Sequence, residues 1–420
     1  MKFSDYNISS DLKRNLESLG FKRPTDIQFK SIPSILRGED VLAIAQTGTG
    51  KTAAFAIPLI NKIHGFKSSK RSTGIKCIVL VPTRELALQI GEVFTSLARH
   101  TKVSVFSLHG GVEQDSQIKK LQDGIDILIA TPGRMFDLIN QGAIRLLGVS
   151  TLVLDEADHM LDLGFIEDIK YIKKLLTSQH QTLFFSATIN PEIKKLAFSQ
   201  VKSDAIRIQV SPEDPVSKNI SHCVMFVEMD DKRFFLEKFI NDHPESKIIV
   251  FVRTRVRAER VAKAMERVNI KTCTIHGEKD QSDRKMIMSQ FKTGESKILI
   301  ATDISARGID IPNVAFVINY DLPEKAENYV HRVGRTGRGV NKGNAIAFCS
   351  KEEKPLLDEI HKFINKNIEV IQVGKSEYGQ VVETLKKEKS IDELITEHDQ
   401  WMKDKKKKRK NRSKTAGKKK

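Results

Sequence analysis

The sequence predicts an α/β protein in which one parallel-sheet domain occurs twice in tandem. Short runs of Val, Ile and Leu alternate with longer helical patterns, as in a parallel sheet covered by helices. Similar stretches also recur at one spacing: residues 127–131 and 298–302 both read ILIAT, and IVLVPTR at 78–84 pairs with IVFVRTR at 249–255, each at an offset of 171 residues. Ordered matches at a single offset are rare by chance, so we expect two copies of one domain.

The alternation also gives the expected strands and boundaries. Strand candidates are 41–45, 76–81, 103–108, 125–130, 151–154 and 182–186 in the first copy, and 247–252, 272–275, 297–301, 314–319 and 345–349 in the second. Turn-forming residues at 211–217 place the boundary between the copies. The expected organisation is a first domain at 1–208, a linker at 209–218, a second domain at 219–374, a helical extension at 375–400 and a basic disordered tail at 401–420.

The positive charge of the chain is concentrated at its C-terminal end. The formal net charge is +17, and residues 401–420 contain twelve Lys or Arg and one acid, which leaves +6 for the other 400 residues. A polycation of this kind most often binds nucleic acid through electrostatic attraction. Two other interpretations stay open: the tail only aids solubility, or residues 405–410 act as a nuclear-import signal.

Composition excludes several classes of protein. At 420 residues the chain exceeds a single hydrophobic core. No apolar run approaches the roughly 20 residues that span a bilayer, and residues 1–5 lack the hydrophobic stretch of a signal peptide. The four cysteines are far apart and form no CxxC pair, so neither a zinc site nor a disulfide framework is expected. We expect a cytoplasmic protein without a membrane partner.

Two motifs at the ends of expected strands indicate a nucleoside triphosphate site. Residues 45–52 read AQTGTGKT directly after one apolar run, and residues 155–158 read DEAD directly after another. A glycine-rich turn after a strand binds phosphates through its backbone N–H groups, its Lys and, by way of Mg²⁺, its Thr. An acidic pair after a second strand completes the metal site and orients a water. We therefore expect triphosphate hydrolysis, although the turn begins with Ala45 where the general pattern has Gly.

The residue types within this site predict distinct roles. Lys51 is expected to neutralise the triphosphate, Thr52 and Asp155 to hold Mg²⁺, partly through water, and Glu156 to position or deprotonate the attacking water. The GKT turn occurs in the first copy and not in the second. We therefore expect one nucleotide site in the cleft between the copies, at the carboxyl ends of the strands, where open α/β sheets bind ligands.

The order and spelling of these motifs resemble the DEAD-box ATP-dependent RNA helicases of superfamily 2 over residues 3–350. The length and the lysine-rich tail are most similar to the bacterial RhlE-type subgroup. The resemblance implies two tandem RecA-like P-loop domains, ATP and Mg²⁺ as cofactors, and RNA as the partner. It also implies that ATP closes the two domains on each other and that hydrolysis releases them.

The resemblance assigns further residues to the ATP site. Residues 20–21 (GF) and 24–28 (PTDIQ) resemble the adenine-reading Q motif of the family. A Gln side chain offers a donor and an acceptor to the adenine edge. Alone, the same residues would only begin a helix with Thr25 as its cap. The implied nucleotide contacts are Phe3, Phe21, Thr25, Gln28, Ala45, Gln46, Thr47, Gly48, Thr49, Gly50, Lys51, Thr52, Gly308 and Asp310.

Other motifs are implied to couple hydrolysis to strand separation. The Ser-Ala-Thr sequence at 186–188 is expected to hydrogen-bond Asp158 and residues across the cleft, and two arginines of HRVGRTGR at 331–338 are implied to contact the γ-phosphate. By itself, Ser-Ala-Thr would more often satisfy local backbone groups. The implied catalytic set is Lys51, Asp155, Glu156, Asp158, Ser186, Thr188, His331, Arg335 and Arg338.

The RNA face is implied to consist of other strand ends from both copies. Glycines let the backbone approach a phosphate closely, and Thr and Arg donate hydrogen bonds to it. Binding should be independent of base sequence, with RNA preferred to DNA through 2′-hydroxyl contacts. The implied contacts are Pro82, Thr83, Arg84, Gly110, Gly111, Thr131, Pro132, Gly133 and Arg134 in the first copy, and Arg253, Thr254, Gln281, Arg284, Thr302 and Asp303 in the second.

The leading hypothesis is an RNA-stimulated ATPase that unwinds short RNA duplexes locally or remodels RNA–protein complexes. An ATP-gated RNA clamp with little unwinding shares every motif and stays open as the alternative. A DNA translocase of the same superfamily is disfavoured by the DEAD spelling and by Gln28. We expect a monomer that binds single-stranded and short duplex RNA, with ribosomal or RNA-decay assemblies as candidate partners.

Overall fold

A computed structural model describes residues 2–46, 48–69, 74–210, 216, 219–303, 311, 313–337, 342–372, 374, 376 and 378–382. The chain divides into two compact units. The first comprises Met1–Ile220, Ala306–Pro312 and Val330–Gly343, and the second comprises Ser221–Ser305, Asn313–Tyr329 and Asn344–Lys420. Each unit is built around one seven-stranded sheet, and the described pairs within both sheets are parallel.

The first sheet has the strand order β3-β4-β2-β5-β6-β1-β7. Its strands are β1 (Val41–Ala45), β2 (Cys77–Leu80), β3 (Val105–Leu108), β4 (Ile127–Ala130), β5 (Thr151–Leu154), β6 (Gln181–Ser186) and β7 (Ile206–Val210). The helices of this unit are α1 (Ser10–Ser18), α2 (Asp26–Arg37), α3 (Lys51–Ser69), α4 (Arg84–Ala98), α5 (Gln114–Gln122), α6 (Pro132–Asn140), α7 (Ala157–Asp162), α8 (Ile166–Leu175) and α9 (Pro191–Gln200). A short 3-10 helix, Phe3–Asp5, precedes them.

The second sheet has the strand order β10-β11-β9-β12-β13-β8-β14. Its strands are β8 (Ile220–Phe226), β9 (Ile248–Phe251), β10 (Cys273–Ile275), β11 (Ile298–Ala301), β12 (Phe316–Asn319), β13 (Gly343–Cys349) and β14 (Glu369–Ile371). The helices that follow these strands are α10 (Lys232–Asp242), α11 (Arg255–Glu266), α12 (Gln281–Thr293), α13 (Ala326–Val333) and α14 (Lys354–Ile364), with a 3-10 helix at Lys351–Glu353.

The two sheets share one topology, which confirms the duplication predicted from the sequence. Adding seven to each strand number of the first sheet reproduces the order of the second. The repeated ILIA segments form β4 and β11, which occupy equivalent positions, and the other repeated segments form β2 and β9. The predicted fold class, two tandem α/β domains with parallel sheets, is therefore confirmed.

The hydrophobic cores of the first unit lie on the two faces of its sheet. Val41, Ala43 and Ala45 of β1 belong to one buried cluster, whereas Leu42 and Ile44 belong to another. This alternation follows from the two-residue period of a strand, which turns successive side chains to opposite faces. Helices on both faces bury both rows, so the strands read as continuous apolar runs rather than alternating ones.

Three strands lie outside the segments expected from the sequence. β7 and β14 are edge strands, and β8 lies next to β14. All three strands contain exposed or half-buried positions, and they therefore lack the continuous Val/Ile/Leu run of a strand that is buried on both faces. β7 also continues to Val210, beyond the expected end of the first domain at 208.

The expected helical extension at 375–400 is described only at its start. Residues 378–382 are helical, and Val381 and Val382 pack into a core cluster of the second unit. The hydroxyl of Tyr378 donates to Asp231 Oδ2 at 2.9 Å. The remainder of the extension and the predicted tail at 401–420 lie outside the described residues. Among the described helices, none combines the length and apolarity needed to cross a bilayer.

Candidate nucleotide site and nucleic-acid face

Three of the predicted motifs follow three adjacent strands of the first sheet. β5, β6 and β1 are neighbours, and they end at Leu154, Ser186 and Ala45. Parallel strands end at the same edge, so the DEAD sequence, the Ser-Ala-Thr sequence and the glycine-rich turn lie side by side. The fold thus brings together residues separated by up to about 140 positions in the chain.

The glycine-rich turn is held by the residues assigned to the Q motif. Gly48 and Gly50 have φ angles of 81° and 90°, a conformation that favours glycine. The hydroxyl of Thr25 donates to the carbonyl of Thr49 at 2.8 Å, and Gln28 Nε2 donates to the carbonyl of Gly50 at 3.1 Å. A Cβ at Gly50 would collide with the Gln28 amide. The Q-motif side chains therefore brace the phosphate-binding turn from behind.

Gln28 also has a role in its own helix. Its Oε1 accepts the backbone N–H of Thr25 at 3.0 Å, and Thr25 is the N-cap of α2. This is the helix-start interpretation that the sequence left open, and it operates together with the contact to the turn. The contact of Gln28 with adenine stays a prediction, as do the nucleotide contacts of Gln46 and Thr52. Gln46 accepts the Thr49 hydroxyl at 2.8 Å. Thr47 lies outside the described residues.

Lys51 is the clearest sign of an anionic ligand. It begins α3, is only 7% exposed, and its buried Nζ has no hydrogen-bond partner among the described residues. A buried ammonium without a partner is costly unless a ligand completes its coordination. The N-terminus of α3 adds unpaired N–H groups and a positive helix dipole at the same place. The site is therefore suited to a phosphate group.

The acidic motif beside Lys51 is almost completely buried. Asp155, Glu156 and Asp158 are 3%, 6% and 6% exposed. Glu156 has a φ of 52°, a strained left-handed conformation for a residue other than glycine, and it is the N-cap of α7. Strain of this kind persists where the surrounding structure enforces it and is typical of functional sites.

The pKa values of the two neighbouring carboxyls are shifted in opposite directions. Burial raises the pKa of Asp155 from 3.8 to about 7, and the charge of Lys51 offsets only part of this effect. Burial acts on Glu156 as well, but its interactions with His159 and Lys51 outweigh burial, so the pKa of Glu156 lies well below its usual range. His159 Nδ1 is 3.7 Å from Glu156 Oε2, a distance at which the attraction is electrostatic rather than a hydrogen bond. Carboxyls whose environments separate their pKa values are typical of catalytic pairs.

Asp158 ties the acidic motif to the Ser-Ala-Thr sequence, as expected. Its Oδ2 accepts the N–H of Ala187 at 3.2 Å, and both the N–H and the hydroxyl of Thr188 at 2.9 Å. The hydroxyl of Ser186 instead donates to the carbonyl of Thr188 at 2.8 Å, so Ser186 supports its own turn rather than Asp158. The expected hydrogen bond to Asp158 is therefore present for the Thr188 hydroxyl, whereas the Ser186 hydroxyl bonds within its own turn.

Residues 330–343, which include the arginine-rich motif, belong to the first compact unit, as the acidic motif does. His331 Nε2 is 3.7 Å from Asp158 Oδ2, and Arg335 Nε donates to the carbonyl of His331 at 3.0 Å. Although burial alone would raise the pKa of Asp158, the charges of His331 and Lys51 help to lower it. Arg335 is 3% exposed and its charge lowers the pKa of Glu156. Arg338, Gly308 and Asp310 lie outside the described residues.

The two aromatic residues assigned to adenine contact each other. The rings of Phe3 and Phe21 meet edge to face, with centroids 5.7 Å apart. Phe3 is buried in the hydrophobic core, and a cavity of about 450 Å³ is lined by both rings and by Gly20. Their contact with a nucleotide base stays a prediction.

The RNA-face residues of the first unit lie at strand ends and helix starts. Thr83 and Thr131 are the N-caps of α4 and α6, and Thr83 Oγ1 accepts the N–H of Leu86 at 3.3 Å. A Cβ at Gly110 would lie only 3.2 Å from the Arg84 guanidinium, so the lack of a side chain at Gly110 leaves space for Arg84. Arg134 donates to Gln117 Oε1 at 2.9 Å and Gly111 has a φ of 78°. Pro132 and Gly133 form the first turn of α6.

The second unit repeats this arrangement. Thr254 is the N-cap of α11 and accepts the N–H of Arg257 at 3.2 Å, as Thr83 caps α4. Arg284 donates to the carbonyl of His276 at 3.1 Å. Thr302 and Asp303 follow β11, and the structure does not describe the side chain of Gln281. These residues lie at turns, helix caps and strand ends, positions that local structure alone would also explain. Their contact with RNA therefore stays a prediction.

A buried ionic network behind the second RNA face had no signal in the sequence. Lys232 is fully buried; its Nζ contacts Glu353 Oε2 and donates to the carbonyl of Tyr320 at 2.7 Å. Glu353 also accepts from Arg253 Nη2 at 3.0 Å, and Asp321 accepts from Arg257 Nε at 3.0 Å. These charges are far apart in the chain and carry no motif, so only the fold reveals their association.

Comparison with known proteins identifies related families and structures. Two sequence-family models match the chain: "DEAD/DEAH box helicase" over residues 25–196 and "Helicase conserved C-terminal domain" over residues 231–340. The DEAD-box ATP-dependent RNA helicase RhpA of Helicobacter pylori is 35% identical over 398 residues, covering 95% of this chain and 80% of the relative. The DEAD-box ATP-dependent RNA helicase CshA of Bacillus subtilis is 39% identical over 367 residues, covering 87% and 73%.

Solved structures agree with this result. The chain is similar to S. cerevisiae Dbp5 bound to RNA and ADP BeF3, with a TM-score of 0.81 and 29% identity, covering 92% of this chain and 99% of that one. It is also similar to the DEAD-box helicase Mss116 bound to ssRNA and UDP-BeF, with a TM-score of 0.82 and 29% identity, covering 91% and 81%. Both matches span the two α/β units, whose fold is therefore the tandem RecA-like one.

Proposed function

The chain belongs to the DEAD-box ATP-dependent RNA helicases, and we propose that it uses ATP to melt short RNA duplexes locally. The family is shown by relatives that are 35% and 39% identical and match along most of their length. ATP hydrolysis and RNA helicase activity follow from that membership. Assignment to the RhlE-type subgroup stays a prediction.

One observation supports the chemistry most strongly. The Lys51 ammonium, which has no hydrogen-bond partner among the described residues, and the buried carboxyls of Asp155 and Glu156 follow β1 and β5, the two strands that flank β6. A site that buries one cation and several acids around a glycine-rich turn is arranged for a ligand that carries both phosphates and a metal. The lowered pKa of Glu156 keeps that carboxylate ionised, as required to orient a water molecule or accept its proton.

The same residues fit Mg²⁺. Thr52 and Asp155 would hold the ion, and a bound cation would offset the burial that raises the pKa of Asp155. Bound there, Mg²⁺ would neutralise negative charge on the phosphate oxygens. Arg335, already buried beside this acidic motif, would act on the same charge, since a guanidinium fork matches phosphate oxygens and remains protonated.

Hydrolysis is coupled to RNA, in this proposal, through the Asp158 network. Asp158 holds the Ser-Ala-Thr turn with three hydrogen bonds, so a change at the acidic motif is transmitted to the end of β6. Binding one strand in a conformation that a duplex cannot adopt would separate a few base pairs. At about 1.4 kcal/mol per stacking step, four steps cost about 6 kcal/mol, which a set of phosphate contacts can supply without long-range translocation.

The partners of the protein are the broadest part of the proposal. Residues 401–420 carry a net charge of +11, which supports additional electrostatic binding to a large polyanion. We propose ribosomal or RNA-decay assemblies as the setting, with the protein acting as a monomer.

A single-turnover unwinding assay tests the proposed activity. A labelled RNA duplex of about eight base pairs should dissociate with ATP and Mg²⁺ much faster than without ATP, and a long duplex should not. The Glu156→Gln variant is the control, because it keeps the size of the side chain but removes the carboxylate. RNA-stimulated ATP hydrolysis without strand separation would instead support the RNA clamp.

A further inference from the structure

A basic groove in the second unit is not used by any of the motifs described above. It runs between the start of α10 and the outer face of α11 and has a volume of about 580 Å³. Five basic residues line it: Arg233, Arg257, Arg260, Lys263 and Arg267. Asp230 and Asp231 are the acidic residues of the lining, and the hydroxyl of Tyr378 donates to Asp231 at 2.9 Å. Five cations and two carboxylates leave a net charge of +3.

Much of this positive charge is not neutralised by the protein. Arg260, Lys263 and Arg267 are exposed and form no ion pair with any described residue. Arg233 Nε is buried and has no hydrogen-bond partner within the described chain. By contrast, Arg257 is bound by Asp321. The groove therefore presents several guanidinium and ammonium groups that are available to a ligand.

The basic residues of α11 form a line. Arg257, Arg260 and Lys263 of α11 and its C-cap residue Arg267 recur every three or four residues, so they occupy one side of the helix. At 1.5 Å per residue, the line from Arg257 to Arg267 is about 15 Å long. A single phosphate or a compact anion would contact only part of such a line, whereas a chain of phosphates would follow it.

The groove begins at the implied RNA face. Asp321 joins the two, because its Oδ2 accepts the N–H of Arg253 at 3.1 Å while its Oδ1 accepts Nε of Arg257 at 3.0 Å. Arg253 and Thr254 precede the first turn of α11, and Arg257 lies one turn further along. A strand bound at Arg253 and Thr254 would therefore continue past Arg257 to Arg260, the next exposed basic residue of the groove.

We infer that this groove is a second RNA-binding site, which holds the phosphates of RNA extending beyond the strand bound at the motif residues. The inference rests on the proposed function, because it continues the RNA path from Arg253 and Thr254. The contacts are with phosphates, since the groove offers guanidinium and ammonium groups, so the site should be independent of base sequence. The groove would raise the affinity for long RNA above the affinity for RNA that reaches only the motif residues.

The test compares RNA strands of two lengths. The short strand is the shortest one that gives maximal ATPase activity of the wild-type protein. Two long strands are compared with it, one extended by about ten nucleotides at its 5′ end and the other at its 3′ end, a typical footprint for an added single-strand site. The test variant is Arg260→Ala with Arg267→Ala. The control is Lys271→Ala with Lys297→Ala, which removes two basic residues just before β10 and β11 that pair with Glu295 and Glu245 and do not line the groove. RNA affinity is measured by fluorescence anisotropy.

The wild type and the control should bind one of the long strands more tightly than the short strand. The test variant should lose this gain in affinity. Its affinity for the short strand should stay within about twofold of the wild-type value. Loss of two phosphate contacts should also lower the salt slope of log affinity on that long strand by about 1.4, which is about a sevenfold smaller loss of affinity between 50 and 200 mM salt.

A length gain that persists in the test variant overturns the inference and leaves the groove to another acidic partner, such as a protein segment. An equal loss on the short strand also overturns it, because the groove would then belong to the core site. Failure of the proposed function has a different signature: the ATPase of the wild type would not respond to RNA of any length.

Discussion

At the scale of single residues, the site depends on side chains that serve both the fold and the ligand. Gln28 caps the start of α2 and also holds the carbonyl of Gly50. Thr188 closes a turn and also binds Asp158. Lys51 is the exception, since its buried ammonium has no hydrogen-bond partner among the described residues. Gln28 and Thr188 therefore shape the turns of the site, whereas Lys51 is placed to bind the phosphate.

The Gly50→Ala variant tests the brace behind the phosphate-binding turn. A Cβ there would meet the Gln28 amide in a backbone conformation with φ of 90°, so both nucleotide affinity and stability should fall. The loss of stability should be about 1–2 kcal/mol for the conformation, plus the displacement of Gln28. The matched control is Gly38→Ala, which has a φ of 84° but open space around it.

Gly38→Ala should lose stability by the conformational part alone and keep wild-type ATP affinity. The two variants are compared by denaturant unfolding and by titration with a fluorescent ATP analogue. Equal ATP affinity in the two variants would show that Gln28 does not brace the turn.

His361 gives the second unit a defined response to acid. Burial lowers the pKa of His361 below its usual 6.5, and its Nε2 accepts the N–H of Ile368 at 3.2 Å. The unfolded chain therefore binds a proton first as the pH falls below about 6.5. The contribution of neutral His361 to the free energy of unfolding is therefore fully present above about pH 6.5. It is lost as the pH falls toward the pKa of His361 in the folded protein.

Denaturant midpoints measured from pH 7.5 down to pH 5 should fall less steeply in His361→Gln than in wild type, since Gln keeps an acceptor for Ile368 but does not titrate. Parallel midpoint curves for the two proteins would refute this assignment of the acid response.

At the scale of elements, the start of α10 is tied to α14 and to the loop after β12 by buried charges. Lys232 is fully buried against Glu353 and 3.8 Å from Asp321. Removal of one member of such a group leaves a buried charge without compensation, which typically costs about 3–5 kcal/mol. The same acids hold Arg253 and Arg257, so the network also orients the start of α11.

We expect Lys232→Met to destabilise the protein by about 3–5 kcal/mol and to weaken RNA binding through Arg253. Lys238→Met on the same helix removes an exposed lysine paired with Asp242, and it should change stability by less than about 1 kcal/mol. Unfolding free energies of both variants are compared with wild type. A similar small effect of both substitutions would contradict a structural role for the buried network.

At the scale of the whole molecule, the sequence predicted the duplicated sheet but not all its strands. Strands that are buried on both faces read as unbroken apolar runs, whereas β7, β8 and β14 carry polar residues that interrupt this pattern. The phosphate turn and the acidic motif were predictable because their chemistry needs fixed residue types beside each other in the chain. The Lys232 network and the basic groove were not, because their residues meet only after folding.

The most direct test of the account is steady-state ATP hydrolysis measured with and without single-stranded RNA, in wild type and in Lys51→Ala. The account predicts that RNA raises the turnover of the wild type severalfold or more. It also predicts that Lys51→Ala, folded as judged by its unfolding transition, loses at least about 100-fold in kcat/KM because the charge that binds the triphosphate is gone. Wild-type turnover that ignores RNA, or a Lys51→Ala variant that hydrolyses ATP normally, would contradict it.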